Sequence, residues 1–463
     1  MTETSSAPQS PGAPGAASLG KLAEQALAIL KGDGERARTQ RDAVTAFGVR
    51  CASAALLYLS QIVLARWMGS YEYGIYVFVW TWVLVLGGLT DLGLGMASIR
   101  FISHYREKGE VVLLRGLVHG ARATALGVGT LIAGIGMAGL WLFEPIQSPY
   151  VLPAYLALVC VPLYALTDVQ DGLGKGFAWM GVALFPPYIL RPALLLITFG
   201  AAYLAGLPME ATTAAGAAIA ATWLAGIVQS VLINRRLAAV VPAGARSYAW
   251  RTWLTAAMPL LVVAACELTL QSADVLIISH YLTPTDVAIY FAAAKTMSLI
   301  MFVHYAVGSA VANRFAALGA RGDKESLHAF VRDAVHWTFW PSLAAAVVLL
   351  ILGMPLLWLF GPQFVSGYPV MLILVVGFLF RSSMGPAEFL LNMLGQQKLC
   401  ATVLVATAVL NIALNLALVP AFGLIGAACA TSASLVAGAL MSCVAVNRTL
   451  GIDVAVWRNL RKR

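Results

Sequence analysis

The sequence predicts an all-α polytopic membrane protein, with about twelve transmembrane helices in two parallel six-helix lobes around a central cavity. Composition, the length of the apolar runs and an internal repeat lead to this fold class. Of the 463 residues, 60% are hydrophobic and only 11% are charged, whereas a soluble domain has about 25% charged residues because its surface faces water. Residues 183–207 and 343–360 have the length that crosses bilayer hydrocarbon, about 20 residues.

Each apolar run is expected to be helical, because in lipid only a helix satisfies its own backbone N–H and C=O groups. Spans are predicted near residues 43–68, 75–99, 116–143, 151–173, 183–206, 211–234, 253–281, 286–313, 333–360, 368–394, 400–420 and 423–447. An even number of spans places both termini on one side of the membrane.

Two stretches of the chain recur at nearly the same offset. VLARWMGSYEYGIY (63–76) aligns with IISHYLTPTDVAIY (277–290) at an offset of 290 − 76 = 214 residues. GAAIA (216–220) aligns with GAACA (426–430) at an offset of 426 − 216 = 210 residues. Six spans per half make both halves start on the same side, which predicts a parallel repeat with a ligand site between the lobes.

Charge in the loops predicts the orientation. Basic residues collect in the two termini and in alternate loops, and the opposite loops hold mainly Glu72, Glu144, Glu210 and Asp286. By the positive-inside rule both termini are expected to be cytoplasmic. The formal charge of +9 therefore reflects these loops, and no nucleic-acid partner is predicted.

The predicted domains follow from the spans and the repeat. Residues 1–40 form a disordered tail, in which 19–31 has the spacing of either a short interfacial helix or a linker. Residues 41–240 form the N-terminal six-helix lobe, residues 241–450 the C-terminal six-helix lobe, and residues 451–463 a basic cytoplasmic tail.

The sequence lacks signatures of an enzyme, a metal site or a cofactor. GLGKG (172–176) departs from the GxxxxGK[ST] pattern that cradles phosphates, and there is no HExxH. The six Cys and six His are dispersed. We therefore predict no catalytic residue, no metal ligand and no cofactor.

Basic residues inside predicted spans are the candidate binding residues, because charge at membrane depth is costly and marks function. Arg66 lies near a span end, and its side chain is expected to reach the interface. The other four are predicted to hold an anionic ligand in the cavity, since few acids accompany them: Arg50, Arg191, Lys295 and Arg381. For Arg381, a structural ion pair with a carboxylate is the alternative.

Polar residues also recur at helical spacing, which places them on single helix faces. The predicted faces are Arg381, Gly385, Glu388 and Asn392; Glu267, Gln271 and Asp274; Lys295, Phe302, Ser309 and Asn313; Arg50 and Gln61; and Asn411 and Asn415. Cation coupling or gating is predicted for Glu267, Asp274, Asp91 and Glu388, and a supporting polar role for Gln61, Gln271, Asn392, Asn411 and Asn415. Asp91, in DLGLG (91–95), is equally consistent with a helix-end role.

Several segments resemble one known family. LARWMGSYEYGIYVFV (64–79) with DLGLG downstream is similar to the first two helices of polysaccharide-transporter flippases, and NIALNLALVPAFGLIGAACATSAS (411–434) resembles their penultimate helix and loop. LFGPQF (359–364) resembles the entry to their tenth helix, and Pro259 with Asp274 their seventh. The likeness covers nearly the whole chain beyond residue 40.

The resemblance implies the fold of the multidrug/oligosaccharidyl-lipid/polysaccharide exporter superfamily. It also implies a flippase that moves polyprenyl-diphosphate-linked oligosaccharide, an O-antigen or exopolysaccharide unit, across a bacterial inner membrane. Expected partners are an anionic lipid-linked oligosaccharide, the bilayer and other polysaccharide-assembly membrane proteins. The alternatives are a cation-coupled multidrug exporter of the same superfamily and a membrane-embedded polysaccharide polymerase or ligase.

Overall fold

The computed structural model describes residues 35–143 and 148–460. Over these ranges the chain is built from helices joined by turns, and no strand occurs in them. The all-α prediction is therefore confirmed. Residues 1–34 of the predicted tail, and the last three residues of the basic tail, lie outside the described residues.

The helices are numbered here in chain order. They are α1 (Glu35–Thr90), α2 (Leu94–Lys108), α3 (Val111–Phe143), α4 (Val151–Leu158), α5 (Val161–Gly176), α6 (Met180–Phe185), α7 (Arg191–Leu204), α8 (Ala211–Val240), α9 (Trp250–Tyr281), α10 (Pro284–Ser298), α11 (Ile300–Arg321), α12 (Lys324–Ile351), α13 (Gly353–Phe360), α14 (Tyr368–Ser383), α15 (Ala387–Met393), α16 (Gln397–Leu450) and α17 (Val456–Leu460). A π-helical turn at Pro186–Leu190 precedes α7, and a 3₁₀ turn at Pro362–Gly367 precedes α14.

Two of the long helices are hairpins that turn at a glycine. In α16, Gly423 has φ 58° and ψ −135°, outside the helical region. The arms on either side meet, because the amide of Asn411 donates to Oγ of Ser434 at 3.1 Å. In α1, Gly69 has φ 78° and ψ 167°, and the Tyr73 hydroxyl donates to Oε1 of Gln61 at 2.8 Å across the turn.

Ten segments among the described residues are long and apolar enough to cross a membrane, and the hairpins α1 and α16 lie in two of them. A multi-pass membrane protein is thus confirmed, and the number of crossings stays a prediction. One predicted boundary was wrong. The span 75–99 is interrupted, because α1 ends at Thr90 and Leu92 and Gly93 adopt positive φ (54° and 72°) before α2 begins.

The apolar cores join the two halves of the chain mainly at one end, and Trp253 and Ala257 of α9 also pack into the second core. One core combines residues of both halves, including Leu64, Phe199, Tyr290 and Met371. A second core is formed by residues from Leu94 to Ala257, and a third by residues from Val311 to Val456. The shared core adjoins the acidic turns near Glu72 and Asp286, whereas the separate cores adjoin the basic loops.

The two turns that the sequence repeat aligns lie against each other at the joined end. A Cβ atom placed on Gly74 would lie only 1.7 Å from the carbonyl oxygen of Pro284. Glycine at this position therefore allows the backbones of α1 and α10 to touch. This contact ties the first repeat to the second at the base of the shared core.

The repeat also supplies a matched pair for testing the α16 hairpin. A Cβ on Gly426 would lie 2.1 Å from the carbonyl oxygen of Leu418, whereas Gly216, its repeat equivalent, has nothing within 4 Å. We expect Gly426→Ala to lower the yield of monodisperse protein and its melting temperature, measured by fluorescence-detected size exclusion after heating. Gly216→Ala should leave both unchanged. Equal behaviour of the two variants would contradict the close contact.

Candidate functional site

Three of the four candidate cavity cations have described side chains, and these three lie at similar depth, where the shared core ends. Arg191 precedes the core residue Leu195 by one helical turn, and Lys295 precedes Met297 by two residues. Arg381 follows the core residue Val375 by six residues. We call this region the apex, since the core shared by both halves ends here and the second and third cores lie beyond it.

Arg191 starts α7 directly after the π-helical turn. Pro186, Pro187 and Pro192 flank it and offer no backbone N–H, which weakens the regular helical ladder here. Such π turns are frequent at functional sites. The guanidinium lies 4.9 Å from the ring centroid of Tyr164.

A cavity of ≈ 40 Å³ adjoins Arg191. Gln61, Tyr76 and Trp80 of α1 line it together with Arg191. No carboxylate of the described residues lies within ion-pair distance of Arg191, although the half-buried Asp168 interacts with it electrostatically. The sequence placed Gln61 in a supporting polar role, and the structure brings it to the same cavity as this cation.

Lys295 lies near the end of α10 with an exposed side chain. Its ammonium is 5.2 Å from the ring centroid of Phe291, and no ion pair involves it among the residues the structure describes. The neighbouring Thr296 shares a 2.8 Å hydrogen bond with the Tyr58 hydroxyl of α1. Lys295 therefore borders the first helix of the opposite half.

The helix carrying Lys295 ends sooner than the sequence predicted. α10 stops at Ser298 and α11 begins at Ile300. The predicted face that joined Lys295 to Phe302, Ser309 and Asn313 consequently spans two helices. All four side chains are nevertheless exposed.

Arg381 is paired, and this corrects its prediction as a free cavity cation. Its Nη2 donates to both carboxylate oxygens of Glu388, at 2.8 and 2.9 Å. The predicted stripe on one continuous helix is also wrong, because Gly385 (φ 58°) and Pro386 separate α14 from α15. The break brings Glu388 back onto Arg381.

The Arg381–Glu388 pair is partly open to its surroundings, with side-chain exposures of 18% and 34%. Glu267 of α9 is exposed and interacts electrostatically with both members of the pair. Gln271, one turn further along α9, is also exposed, and Asn392 is half-buried on α15. These groups form a mixed-charge patch in the C-terminal half.

Asp274 follows Gln271 by three residues on α9, but it is buried in a separate hydrogen-bonded network. Its carboxylate accepts hydrogen bonds from the Tyr290 hydroxyl at 2.6 Å, the Thr431 hydroxyl at 2.6 Å and the Asn415 amide at 2.8 Å. No cationic side chain of the described chain pairs with it. The negative charge is thus stabilised by neutral donors alone.

Two amide oxygens in the same network have no donor. Oδ1 of Asn411 and Oδ1 of Asn415 are buried and accept no hydrogen bond from any described residue. Buried polar atoms without a partner are rare and call for an explanation such as an ion. Asn411 and Asn415 were predicted as a small polar stripe. They lie next to Asp274, and each has an amide oxygen that accepts no hydrogen bond from a described residue.

Asp91 has the helix-end role that the sequence left open. Its carboxylate accepts from the backbone N–H of Gly93 at 2.8 Å and of Gly95 at 3.0 Å. These bonds satisfy donors at the start of α2 that have no helical partner. The coupling or gating role of Asp91 stays a prediction.

Arg50 belongs to the helical backbone of α1, and its side chain lies outside the described residues. Sequence reasoning missed Tyr290 and Thr431, because hydroxyl residues inside apolar helices are common and carry no distinctive spacing. Tyr290 does have one signal, since the repeat aligns it with Tyr76, which lines the Arg191 cavity. Within the described chain, no group of three or more His, Cys, Asp or Glu side chains could hold a metal ion.

Comparison with family models gives two matches. The model described as "Polysaccharide biosynthesis protein" matches residues 41–316, and a model described as "MatE" matches residues 259–417. A curated protein of Haloferax volcanii, "Probable low-salt glycan biosynthesis flippase Agl15", is 26% identical over 162 residues, which cover 35% of this chain and 34% of that protein. The matched region thus spans about a third of the relative's length.

Solved structures share the fold at low identity. A multidrug resistance MATE family transporter of the MOP superfamily, in an inward-facing conformation, has a TM-score of 0.69 at 14% identity, covering 93% of this chain and 98% of that one. The lipid II flippase MurJ, in an inward closed conformation, has a TM-score of 0.67 at 14% identity, covering 87% of each chain. These likenesses confirm the predicted superfamily fold.

The pairing of Arg381 with Glu388 is open to a double-mutant cycle. Either Arg381→Gln or Glu388→Gln leaves a partly buried charge without its partner, so we expect a coupling of about 1–2 kcal/mol between the two changes. Unfolding in mixed micelles, titrated with sodium dodecyl sulfate, measures it. The exposed pair Asp453–Arg458 is the control and should couple by less than about 1 kcal/mol. Additive effects at Arg381 and Glu388 would contradict the ion pair.

Proposed function

The chain belongs to the polysaccharide biosynthesis protein family, within the MOP superfamily of membrane transporters, and from that premise we propose that it flips polyprenyl-diphosphate-linked oligosaccharide between membrane leaflets. Members of this family are transporters rather than enzymes, which disfavours the polymerase or ligase alternative. The oligosaccharide would be a unit of a surface polysaccharide such as O-antigen or exopolysaccharide. One observation carries the proposal: Arg191 and Lys295 lie at the apex without an ion-pair partner in the described chain.

An unpaired cation at membrane depth favours an anionic ligand. Attraction between opposite charges is strong where water is scarce, and a diphosphate offers several acceptor oxygens to Arg and Lys. The aromatic rings beside Arg191 and Lys295 stabilise the cations without neutralising them. The positive charge thus remains available to a diphosphate.

The arrangement of the cores supports alternating access. The core that both halves share lies at the acidic-loop end, and at the basic-loop end the C-terminal half enters the second core only through the start of α9. A gap that opens toward the basic side between the remaining helices suits entry of the diphosphate from there. The positive-inside rule makes that side cytoplasmic, with both termini, in a bacterial inner membrane. The polyprenyl chain would stay in lipid while the lobes, residues 41–240 and 241–450, rock around the apex.

The membrane potential favours export of such a ligand. Moving two negative charges outward across about 100 mV, negative inside, contributes about 4–5 kcal/mol. Coupling to a cation would add to this driving force. We assign that coupling to Asp274, whose carboxylate and the neighbouring amide oxygens of Asn411 and Asn415 offer oxygen ligands to a monovalent cation or an acceptor for a proton.

A cation-coupled multidrug exporter is the second candidate, and the mixed-charge patch favours it. Glu267 is exposed and the Arg381 charge is already matched by Glu388. An organic cation would bind such carboxylates, whereas a diphosphate would be repelled. The two candidates therefore differ in the residues that bind the ligand. A flippase would bind the diphosphate at Arg191 and Lys295, whereas a multidrug exporter would bind an organic cation at Glu267.

We expect Arg191→Gln and Lys295→Gln each to reduce polysaccharide export at least about tenfold at normal protein level, because each removes a charge-assisted contact to the diphosphate. Complementation of a deletion strain, scored by surface polysaccharide and by accumulated lipid-linked intermediate, measures this. Arg66→Gln is the matched control, since Arg66 contacts Trp358 near a span end, and it should export normally. Full export by both apex variants would sink the flippase proposal.

The coupling proposal makes a separate prediction for Asp274. Sodium chloride should raise the melting temperature of the purified protein above that in choline chloride, or lowering the pH should do so if the cation is a proton, because a ligand of the native state stabilises it. Asp274→Asn should remove that response, and Asp333→Asn, on the exposed side of α12, should keep it. An unchanged response in Asp274→Asn would exclude coupling at this carboxylate.

A further inference from the structure

A second basic cavity lies far from the apex, beside the segment that connects the two halves. Residues 241–249 join α8 to α9, and with α3 and α8 they enclose a cavity of ≈ 230 Å³. Its charged and titratable lining consists of Arg115, His119, Arg122 and Arg246, with no acidic side chain. We call it the linker cavity.

Specific contacts hold residues 241–249 against α3 and so define the linker cavity. The backbone N–H of Ser247 donates to the carbonyl of Val112 at 3.2 Å, and a Cβ on Gly116 would lie 1.7 Å from the carbonyl oxygen of Ser247. Glycine on α3 therefore allows the connecting segment to lie directly on the helix. Arg115 fastens it further, since Nε donates to the carbonyl of Pro242 at 2.6 Å and Nη1 to that of Ala245 at 3.3 Å.

Arg122 supplies the observation that points to a ligand. Its Nη1 donates to Oδ1 of Asn234 at 2.6 Å. Nε and Nη2 of the same guanidinium are buried, and no acceptor for them exists among the described residues. Buried donors on a charged group are costly when unmet, and Arg115, Arg122 and Arg246 have no ion pair in the described chain.

The position of the cavity along α3 matches the level of lipid headgroups. Residues 123–143 contain no charged residue and are long enough to cross the hydrocarbon. Arg122 directly precedes this run, and Arg115 and His119 lie within the two preceding turns. The cationic lining therefore falls where phosphate groups of lipids lie and where aqueous anions also arrive.

We propose that the linker cavity binds a phosphate group, from an acidic lipid headgroup or from free phosphate in solution. The guanidinium of Arg122 and the exposed Arg246 would donate to the phosphate oxygens, and His119 would add a third donor when protonated. A bound phosphate would bridge α3, α8 and residues 241–249. It would thereby fix the connection between the halves to the N-terminal half.

The test compares binding by wild type, Arg122→Gln, Arg246→Gln and Arg251→Gln. Arg251 lies in the first turn of α9, is exposed and does not line the cavity, so its variant is the matched control. One arm titrates inorganic phosphate against the purified detergent-solubilised protein at constant ionic strength. The other compares melting temperatures in nanodiscs of neutral lipid with and without phosphatidylglycerol.

We expect binding about tenfold weaker in Arg122→Gln and Arg246→Gln than in Arg251→Gln. A loss confined to the phosphate titration assigns the ligand to solution, and a loss confined to phosphatidylglycerol nanodiscs assigns it to a lipid. If Arg122→Gln does not fold, Arg246→Gln decides, because it leaves the Arg122–Asn234 bond in place. Equal responses of all four proteins in both arms would overturn the proposal, whatever the outcome of the transport assays.

Discussion

The structure depends on how charges are held inside an apolar protein. A charged side chain at membrane depth needs a partner, a set of hydrogen bonds or access to water. Arg381 has a carboxylate partner in Glu388, and Asp274 has three neutral donors. Arg191 and Lys295 each have an aromatic ring and no ion pair in the described chain, and the carboxylate of Asp168 acts electrostatically on Arg191 from a greater distance. That difference is the basis of our proposal that the last two residues recognise the ligand and that the first two have conformational or coupling roles.

The two ends of the molecule differ in the same physical terms. At the joined end, the repeat-related turns touch through Gly74 and Pro284, and both halves contribute to one core. At the other end, the third core contains residues of the C-terminal half alone, whereas the second also contains Trp253 and Ala257 of α9. A rocking motion about the joined end changes few core contacts if the start of α9 moves with the N-terminal half. The connecting segment 241–249 crosses the separated end, which makes its attachment to α3 relevant to that motion.

Sequence reasoning recovered the fold class, and it selected some residues that the structure brings together, such as Asp274, Asn411 and Asn415. Apolar run length, the requirement for helices in lipid and the positions of charge were sufficient, because these constraints act locally. The same reasoning could not foresee that Gly385 and Pro386 break the tenth predicted span, and so it preferred a free Arg381 and kept the ion pair with a carboxylate only as the alternative. Pairing depends on a backbone break whose direction helical periodicity cannot give.

The Asp274 network shows a second limit of prediction from sequence. Asp274, Asn411 and Asn415 were identified from spacing on their own helices, yet Tyr290 and Thr431 complete the site from other helices. Side chains that meet only through tertiary packing leave no pattern within one helix. The repeat alignment of Tyr76 with Tyr290 was the available hint, and both tyrosines lie at polar sites of their own half.

The most direct measurement is translocation by the purified protein in liposomes. Fluorescent polyprenyl lipids carrying one sugar through a diphosphate, through a monophosphate or through a neutral linkage would be compared with a fluorescent organic cation. If Arg191 and Lys295 bind the diphosphate, we expect rapid movement of the diphosphate lipid between leaflets. The monophosphate lipid should move more slowly, and the neutral lipid and the cation should not move. Transport of the cation without the diphosphate lipid would contradict it.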